Sequence, residues 1–243
     1  NLVCADNANP NFKLFHKYFS SIYAQSIKSK GYFDERQYLS VVELGKQANR
    51  FFDEKESTDF IQEVNTFNIQ FSKTKEQLNT YIDELYERNS RMMMLRLDLF
   101  YGTSDRNKTT VQQAHTDNNA FIQFLKNKYE SDLKGYVWKM EYGRKKGFCI
   151  RYVVLLSGSK FREDITVCKI LGDKWKYEIT QFRGSYYNRN VYKRDHEQSI
   201  LGMKTHDDKN ARKGFYKLMD SFAQTSLYVK AFFSSRIDYI GVG

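Results

Sequence analysis

The chain has 243 residues, 41% hydrophobic and 16% aromatic, which is enough to bury one large core or a core with a small helical module. Lys and Arg outnumber Asp and Glu by 39 to 29, and a formal charge of +10 favours nucleic acid over acidic proteins or neutral metabolites as a partner. No apolar run long enough to span a membrane and no signal peptide is readable, so we expect a cytoplasmic protein without a membrane partner.

The first 90 residues are predicted to form a helical module. Its clearest apolar stripe recurs at intervals of three and four residues, in Leu78, Tyr81, Ile82, Leu85 and Tyr86. About three helices fit between residues 12 and 89, with boundaries at Gly31 and at the polar stretch 53–57.

The periodicity changes at Arg91, where RMMMLRLDLFY predicts a β-strand over residues 91–101. Arg96 and Asp98 fall on one face of this strand and leucines on the other. This strand begins the second predicted domain, residues 91–243, an α+β domain with helices packed on a mainly antiparallel sheet.

Further elements follow in this domain. A helix is predicted over residues 115–129, and strands over 135–142 and 148–156 form an antiparallel hairpin because only a short loop joins them. Residues 165–170 and 175–180 fit two strands, or a short helix and a strand. An apolar stripe between Phe215 and Phe222 predicts a late helix.

Charged residues on the three predicted strands point to one face of the sheet. Lys139 and Glu141 share a face of the hairpin with Cys149 and Arg151 if the loop holds an odd number of residues, as a loop over 143–147 does. Arg96, Asp98, Glu141 and Arg151 would then form one charged patch. This patch is interpreted either as a phosphodiester site or as a surface ion-pair network on the solvent side of a half-exposed sheet, with Arg151 pairing with Glu141 or Asp98.

A stretch of rings and cations between residues 183 and 194 favours contact with DNA, because bases stack on aromatic rings and phosphates bind Arg and Lys. Its candidate residues are Arg183, Tyr186, Tyr187, Arg189, Tyr192, Lys193 and Arg194. Candidate phosphate contacts elsewhere are Arg96, Arg151 and the hairpin tip Arg144, Lys145 and Lys146. The alternative is that the hairpin tip is basic only because charged residues keep the protein soluble.

Three segments carry a resemblance to a known family: RLDLFY, GYVWKMEYGRKKGFCIRYVVLL and YVKAFFSSRIDYIGVG. In order and spacing they resemble the Inovirus Gp2 (YagK/YfjJ) family of prophage and phage replication proteins, over about residues 91–243. The resemblance implies a fold like that of HUH-type Rep endonucleases and a role in initiating replication of a mobile element. It also implies that Tyr228 is the nucleophile, with Lys230 lowering its pKa.

The chain departs from this family at the metal-binding strand. The family's two histidines fall on Cys149 and Arg151, and a guanidinium has no lone pair to offer a metal ion. We therefore expect a DNA-binding protein that does not perform metal-dependent nicking. Its DNA would be single-stranded, a hairpin or a replication origin.

Two other functions stay open from the sequence. One is an active nicking endonuclease that uses Tyr228, with Mg or Mn held by Asp98 and Glu141. The other is an interaction or regulatory protein derived from a Rep domain. A homo-oligomer and a partner from the replication machinery also stay open, and no cofactor is expected unless the chain is catalytically active.

Overall fold

A computed structural model describes residues 9–26, 35–143, 147–191, 200–223 and 238–243. Its elements are α1 (Pro10–Ser26), α2 (Glu35–Lys55), α3 (Thr58–Arg88), β1 (Arg91–Tyr101), α4 (Val111–Tyr129), β2 (Leu133–Gly143), β3 (Gly147–Ser157), α5 (Asp164–Asp173), β4 (Gly184–Asn188), β5 (Gly202–Thr205), α6 (Lys209–Ala223) and β6 (Ile240–Val242). A 3-10 helix, Glu130–Asp132, precedes β2, and a π-helix, Lys174–Ile179, follows α5. In these residues the fold is α+β, with six α-helices and six antiparallel strands.

The chain divides into two compact units, residues 1–72 and 73–243, and the division falls within α3. In the first unit α1 packs against α2, with the rings of Phe19 and Phe51 5.3 Å apart. Tyr18 donates a hydrogen bond of 2.5 Å to Glu54. The three helices predicted before residue 90 are present.

In the second unit the strands lie in the order β4-β1-β3-β2-β6, and β5 also pairs with β1. Every pair is antiparallel. The long central strands β1, β2 and β3 have 11 residues each and carry most of the sheet. Strand β1 therefore lies between β3 on one side and β4 and β5 on the other.

One face of this sheet is mainly apolar and packs against α4, α5 and the π-helix. Leu97, Leu99 and Tyr152 lie in its core with Phe121 and Trp175 from the helices. Aromatic edge contacts stabilise the packing of the helices on the sheet. For example, the ring of Phe121 in α4 lies 4.8 Å from that of Tyr152 in β3.

The opposite face contacts α3 and α6. Only glycine fits at position 135 of β2, because Tyr81 and Leu85 of α3 occupy the space that a Cβ would fill. The two helices join through Arg212 of α6, whose guanidinium donates hydrogen bonds of 2.6 and 3.1 Å to Asp83 of α3.

The predicted strands at residues 91–101, 135–142 and 148–156 are confirmed. The two undecided segments are both helical, so a strand at residues 175–180 is wrong. The physical reason is periodicity: Val167, Cys168, Leu171 and Trp175 recur at intervals of one, three and four residues and are buried together. Strand β4 was not predicted.

Candidate functional site

Four charged residues of the sheet lie in two neighbouring rows on the face that contacts α3 and α6. One row, across β4, β1, β3 and β2, contains Tyr187, Asp98, Arg151 and Lys139. The next contains Ser185, Phe100, Cys149 and Glu141. This is the register that the odd hairpin loop predicts, because Gly143 pairs with Gly147.

Each central strand changes from apolar to polar at about the same level of this face. In β1 Met94 is followed two residues later by Arg96, and in β2 Val137 is followed by Lys139. The apolar half of the face is buried. Part of the polar half, including Asp98, Glu141 and Arg151, lines an open cleft of about 710 Å³, which we call the sheet cleft.

Two ion pairs organise the sheet cleft. Arg189, which follows β4, places Nε 2.8 Å and Nη2 2.5 Å from Oδ2 of Asp98. Nη2 of Arg151 lies 2.9 Å from Oε2 of Glu141. The predicted pairing of Arg151 with Glu141 is thus present.

In each ion pair the carboxylate lies deeper than the guanidinium. The side chains of Asp98 and Glu141 are 9% and 18% exposed, whereas those of Arg189 and Arg151 are 21% and 35% exposed. The guanidinium of Arg189 also lies over the ring of Tyr187, 4.9 Å from its centroid. The cleft therefore presents guanidiniums and one ring above carboxylates, and its ion pairs are those of the network that the sequence offers as an alternative to a phosphodiester site.

Lys139 is the deepest cation of this face. Its Nζ donates a hydrogen bond of 3.2 Å to the carbonyl of Ser221 in the last turn of α6, and lies 3.5 Å from Glu141. Burial lowers the pKa of Lys139, and Glu141 opposes this shift. Lys139 thus links the sheet to α6 and is not available to a ligand.

Cys149 occupies a position where the resembled family has a metal-binding histidine. Burial raises the pKa of its thiol to about 12, and Asp98 contributes in the same direction. A neutral thiol is a poor metal ligand and a poor nucleophile, because both roles need the thiolate.

Three predicted DNA contacts lie elsewhere. Arg96 is only 7% exposed and does not line the cleft. Tyr186 points to the other face of the sheet, since strand residues alternate, and donates a hydrogen bond to Asp173. Arg183 pairs with Asp117 at 3.4 Å. Of the predicted DNA contacts in the described part of the aromatic stretch, only Tyr187 and Arg189 line the cleft.

Several predicted site residues lie outside the described residues. They are the hairpin tip Arg144, Lys145 and Lys146, then Tyr192, Lys193 and Arg194, and the proposed nucleophile Tyr228 with Lys230. Gly143 and Gly147, which flank the hairpin tip, line the cleft.

Arg106 is a cleft residue that sequence reasoning missed. It lies in the loop between β1 and α4, where its backbone nitrogen donates a hydrogen bond of 2.9 Å to Gly102. Its Nε is buried without a hydrogen-bond partner among the described residues. Side-chain periodicity does not predict where a loop residue lies, so the positive charge of Arg106 was the only sequence signal for its role in the cleft.

The donor set of the cleft does not fit the divalent ion that the resemblance implies. Among the described residues, no three His, Cys, Asp or Glu side chains are grouped so that they could hold a metal. Asp98 and Glu141 each already bind a guanidinium, with which an ion would have to compete.

Comparison with models of known protein families, with curated proteins and with solved structures finds no match. The likeness to the Inovirus Gp2 family therefore stays a prediction from the sequence. Among the described helices, none combines the length and the apolar character that crossing a bilayer requires.

Proposed function

We propose that residues 73–243 bind DNA through the sheet cleft, without metal-dependent nicking, as a replication-initiation protein of a prophage or another mobile element. The observation that carries this proposal is the layer formed by Arg151, Arg189 and Tyr187 above the carboxylates of the cleft. Guanidiniums bind phosphates through charge-assisted hydrogen bonds, and an exposed ring offers a surface on which a base can stack.

The distribution of charge supports a polyanionic partner for this unit. Residues 73–243 contain 31 of the 39 Lys and Arg but only 20 of the 29 Asp and Glu, so the whole positive surplus lies there. The basic residues 144–146 are joined directly to two residues that line the cleft. Such a surplus raises the local concentration of an anionic ligand and speeds its association.

The link to replication rests on the sequence resemblance. An antiparallel sheet with helices on it is compatible with a Rep or HUH-like domain, and the order RLDLFY, FCIRYVVLL and the late YVK segment favours one. Cys149 and Arg151 at the histidine positions favour binding over cleavage, because neither supplies a metal ligand.

A second candidate, an interaction protein, is favoured by the first unit. Phe15, Phe52 and Ile69 are each more than half exposed there, and residues 1–72 carry 8 Lys and Arg against 9 Asp and Glu. Exposed apolar side chains on a nearly neutral unit favour protein contact over DNA contact.

The test measures the fluorescence anisotropy of labelled single-stranded, hairpin and duplex DNA at low and moderate salt. We expect affinity to fall about tenfold or more between about 50 and 200 mM salt, because bound phosphates release counterions. Arg151→Ala should weaken binding about tenfold.

Arg162→Ala is the matched control. Arg162 is exposed, does not line the cleft, and lies five residues beyond the end of β3 that is opposite to Gly147. We expect it to bind DNA like the unchanged protein. Absence of salt-dependent binding would overturn the proposal in favour of the interaction protein. Covalent adducts that form with Mn and vanish in Tyr228→Phe would overturn the exclusion of nicking.

A further inference from the structure

Asp98 has a hydrogen-bonding capacity that the ion pair does not use. Both contacts from Arg189 go to Oδ2, whereas Oδ1 is buried without a partner among the described residues. Asp98 itself is only 6% exposed and lines the cleft. A buried carboxylate oxygen without a donor is unfavourable, so a ligand that brings a donor gains free energy there.

The cleft also offers a donor without a partner. Nε of Arg151 makes no hydrogen bond to any described residue, while its Nη2 holds Glu141. Asp98 and Arg151 are directly opposed on β1 and β3. One acceptor and one donor therefore stand side by side on the same face of the sheet, next to the ring of Tyr187.

The two carboxylates disfavour the binding of a phosphate deep in the cleft. A phosphate carries only acceptors at neutral pH and would meet the carboxylates of Asp98 and Glu141. A nucleobase presents donors and acceptors along one edge and a flat face for stacking. The cleft volume of about 710 Å³ lies within the range of small-molecule sites, about 300–1,000 Å³.

Among the bases, guanine matches this edge best. Its N1–H and amino group are neighbouring donors for Oδ1 of Asp98, and its O6 beside them is an acceptor for Arg151. Adenine lacks the carbonyl, and thymine lacks the amino group. In a duplex the same edge of guanine is paired with cytosine, so only an unpaired guanine can present it.

We propose that the sheet cleft binds one unstacked guanine of a single strand. Asp98 accepts from the N1–H and amino group, Arg151 donates to O6, and the base stacks on Tyr187. A phosphate beside this base contacts Arg106. This proposal rests on the proposed function and names the nucleotide that the same site recognises.

The test compares the affinity of the whole protein for an oligothymidine strand and for the same strand with one central guanine, adenine or hypoxanthine. We expect the guanine strand to bind about tenfold more tightly than the adenine strand and the plain oligothymidine strand. Hypoxanthine, which lacks the amino group but keeps N1–H and O6, should fall between guanine and adenine. This series needs no variant and does not depend on how well a variant folds.

Asp98→Asn tests the residue itself, because the amide keeps the shape but offers one acceptor in place of two. We expect it to lose the preference for guanine while it still binds oligothymidine. Asp132→Asn removes the same charge at the opposite end of β2 and should keep the preference.

Equal affinity of the unchanged protein for all four strands, with the expected salt dependence, would overturn the guanine site and leave DNA binding intact. Failure to bind any strand would overturn both. Retention of the guanine preference in a folded Asp98→Asn protein would overturn the role of Asp98.

Discussion

Two residues, Cys149 and Arg151, decide much of the chemistry available to the sheet cleft. They are two apart on β3 and share the face that holds Asp98 and Glu141. Burial raises the pKa of the thiol to about 12, which extends its neutral range to high pH, and the guanidinium is permanently charged. The cleft therefore has a fixed cation where the resembled family has metal ligands, which favours holding an anion or a base edge over cleaving a bond.

The neutral state of Cys149 can be measured directly. Its pKa of about 12, against an ordinary value of 9.0, implies about 1000-fold less thiolate than a free thiol at pH 8. We expect iodoacetamide to modify Cys149 far more slowly in the folded protein than in urea, measured peptide by peptide with mass spectrometry. Equal rates in the two states would show that the thiol is not held neutral by burial.

The hairpin of β2 and β3 is the element that builds the cleft. Because its loop holds an odd number of residues, Lys139 lies opposite Arg151 and Glu141 lies opposite Cys149. Its second strand, β3, begins at Gly147, whose φ is +67°. A Cβ at Gly147 would lie 2.8 Å from the carbonyl oxygen of Arg106. The hairpin and the loop that carries Arg106 can approach this closely only because the residue is glycine.

We expect Gly147→Ala to lower the free energy of unfolding by about 2 kcal/mol, because it combines a left-handed backbone with a steric clash. Urea unfolding followed by circular dichroism measures this loss. Gly102→Ala is the matched control at the same cleft, since its Cβ would meet the nearest atom, the carbonyl oxygen of Arg183, at 3.4 Å. A loss for Gly147→Ala no larger than that of the control would contradict the clash.

At the scale of the whole molecule, the core holds many buried tyrosines. Burial raises the pKa of Tyr129 to about 12 and raises those of Tyr101 and Tyr152 as well. Above about pH 10 the unfolded chain releases these phenolic protons while the folded protein keeps them. The free energy of unfolding therefore falls as pH rises through this range. Lys139 acts in the opposite direction, because its pKa is lowered in the folded state.

We expect stability to fall as the pH rises from about 10 to about 12, by roughly 1 kcal/mol per pH unit for each of the three tyrosines. Urea midpoints at several pH values in this range provide the measurement. Replacement of Tyr129 by Phe should make the decline shallower. A midpoint that stays constant up to pH 11 would show that these phenols are not protected by burial.

The sequence alone determined the α+β class, the three helices before residue 90, the strands at 91–101, 135–142 and 148–156, and the shared face of the hairpin. These features follow from side-chain periodicity and loop parity, which are local properties of the chain. Residues 165–180 were undecided because a short apolar segment fits helix and strand alike.

Only the tertiary structure decided that the charged face is a cleft. Asp98 meets Arg189, which is 91 residues away, because β4 pairs with β1, and Arg106 enters from a loop that packs on Gly147. The same pairing separates Tyr187 from its neighbour Tyr186, which faces the helices. Periodicity shows which residues share a face, but which strands become neighbours, and how deeply their charges are buried, depends on packing between distant segments.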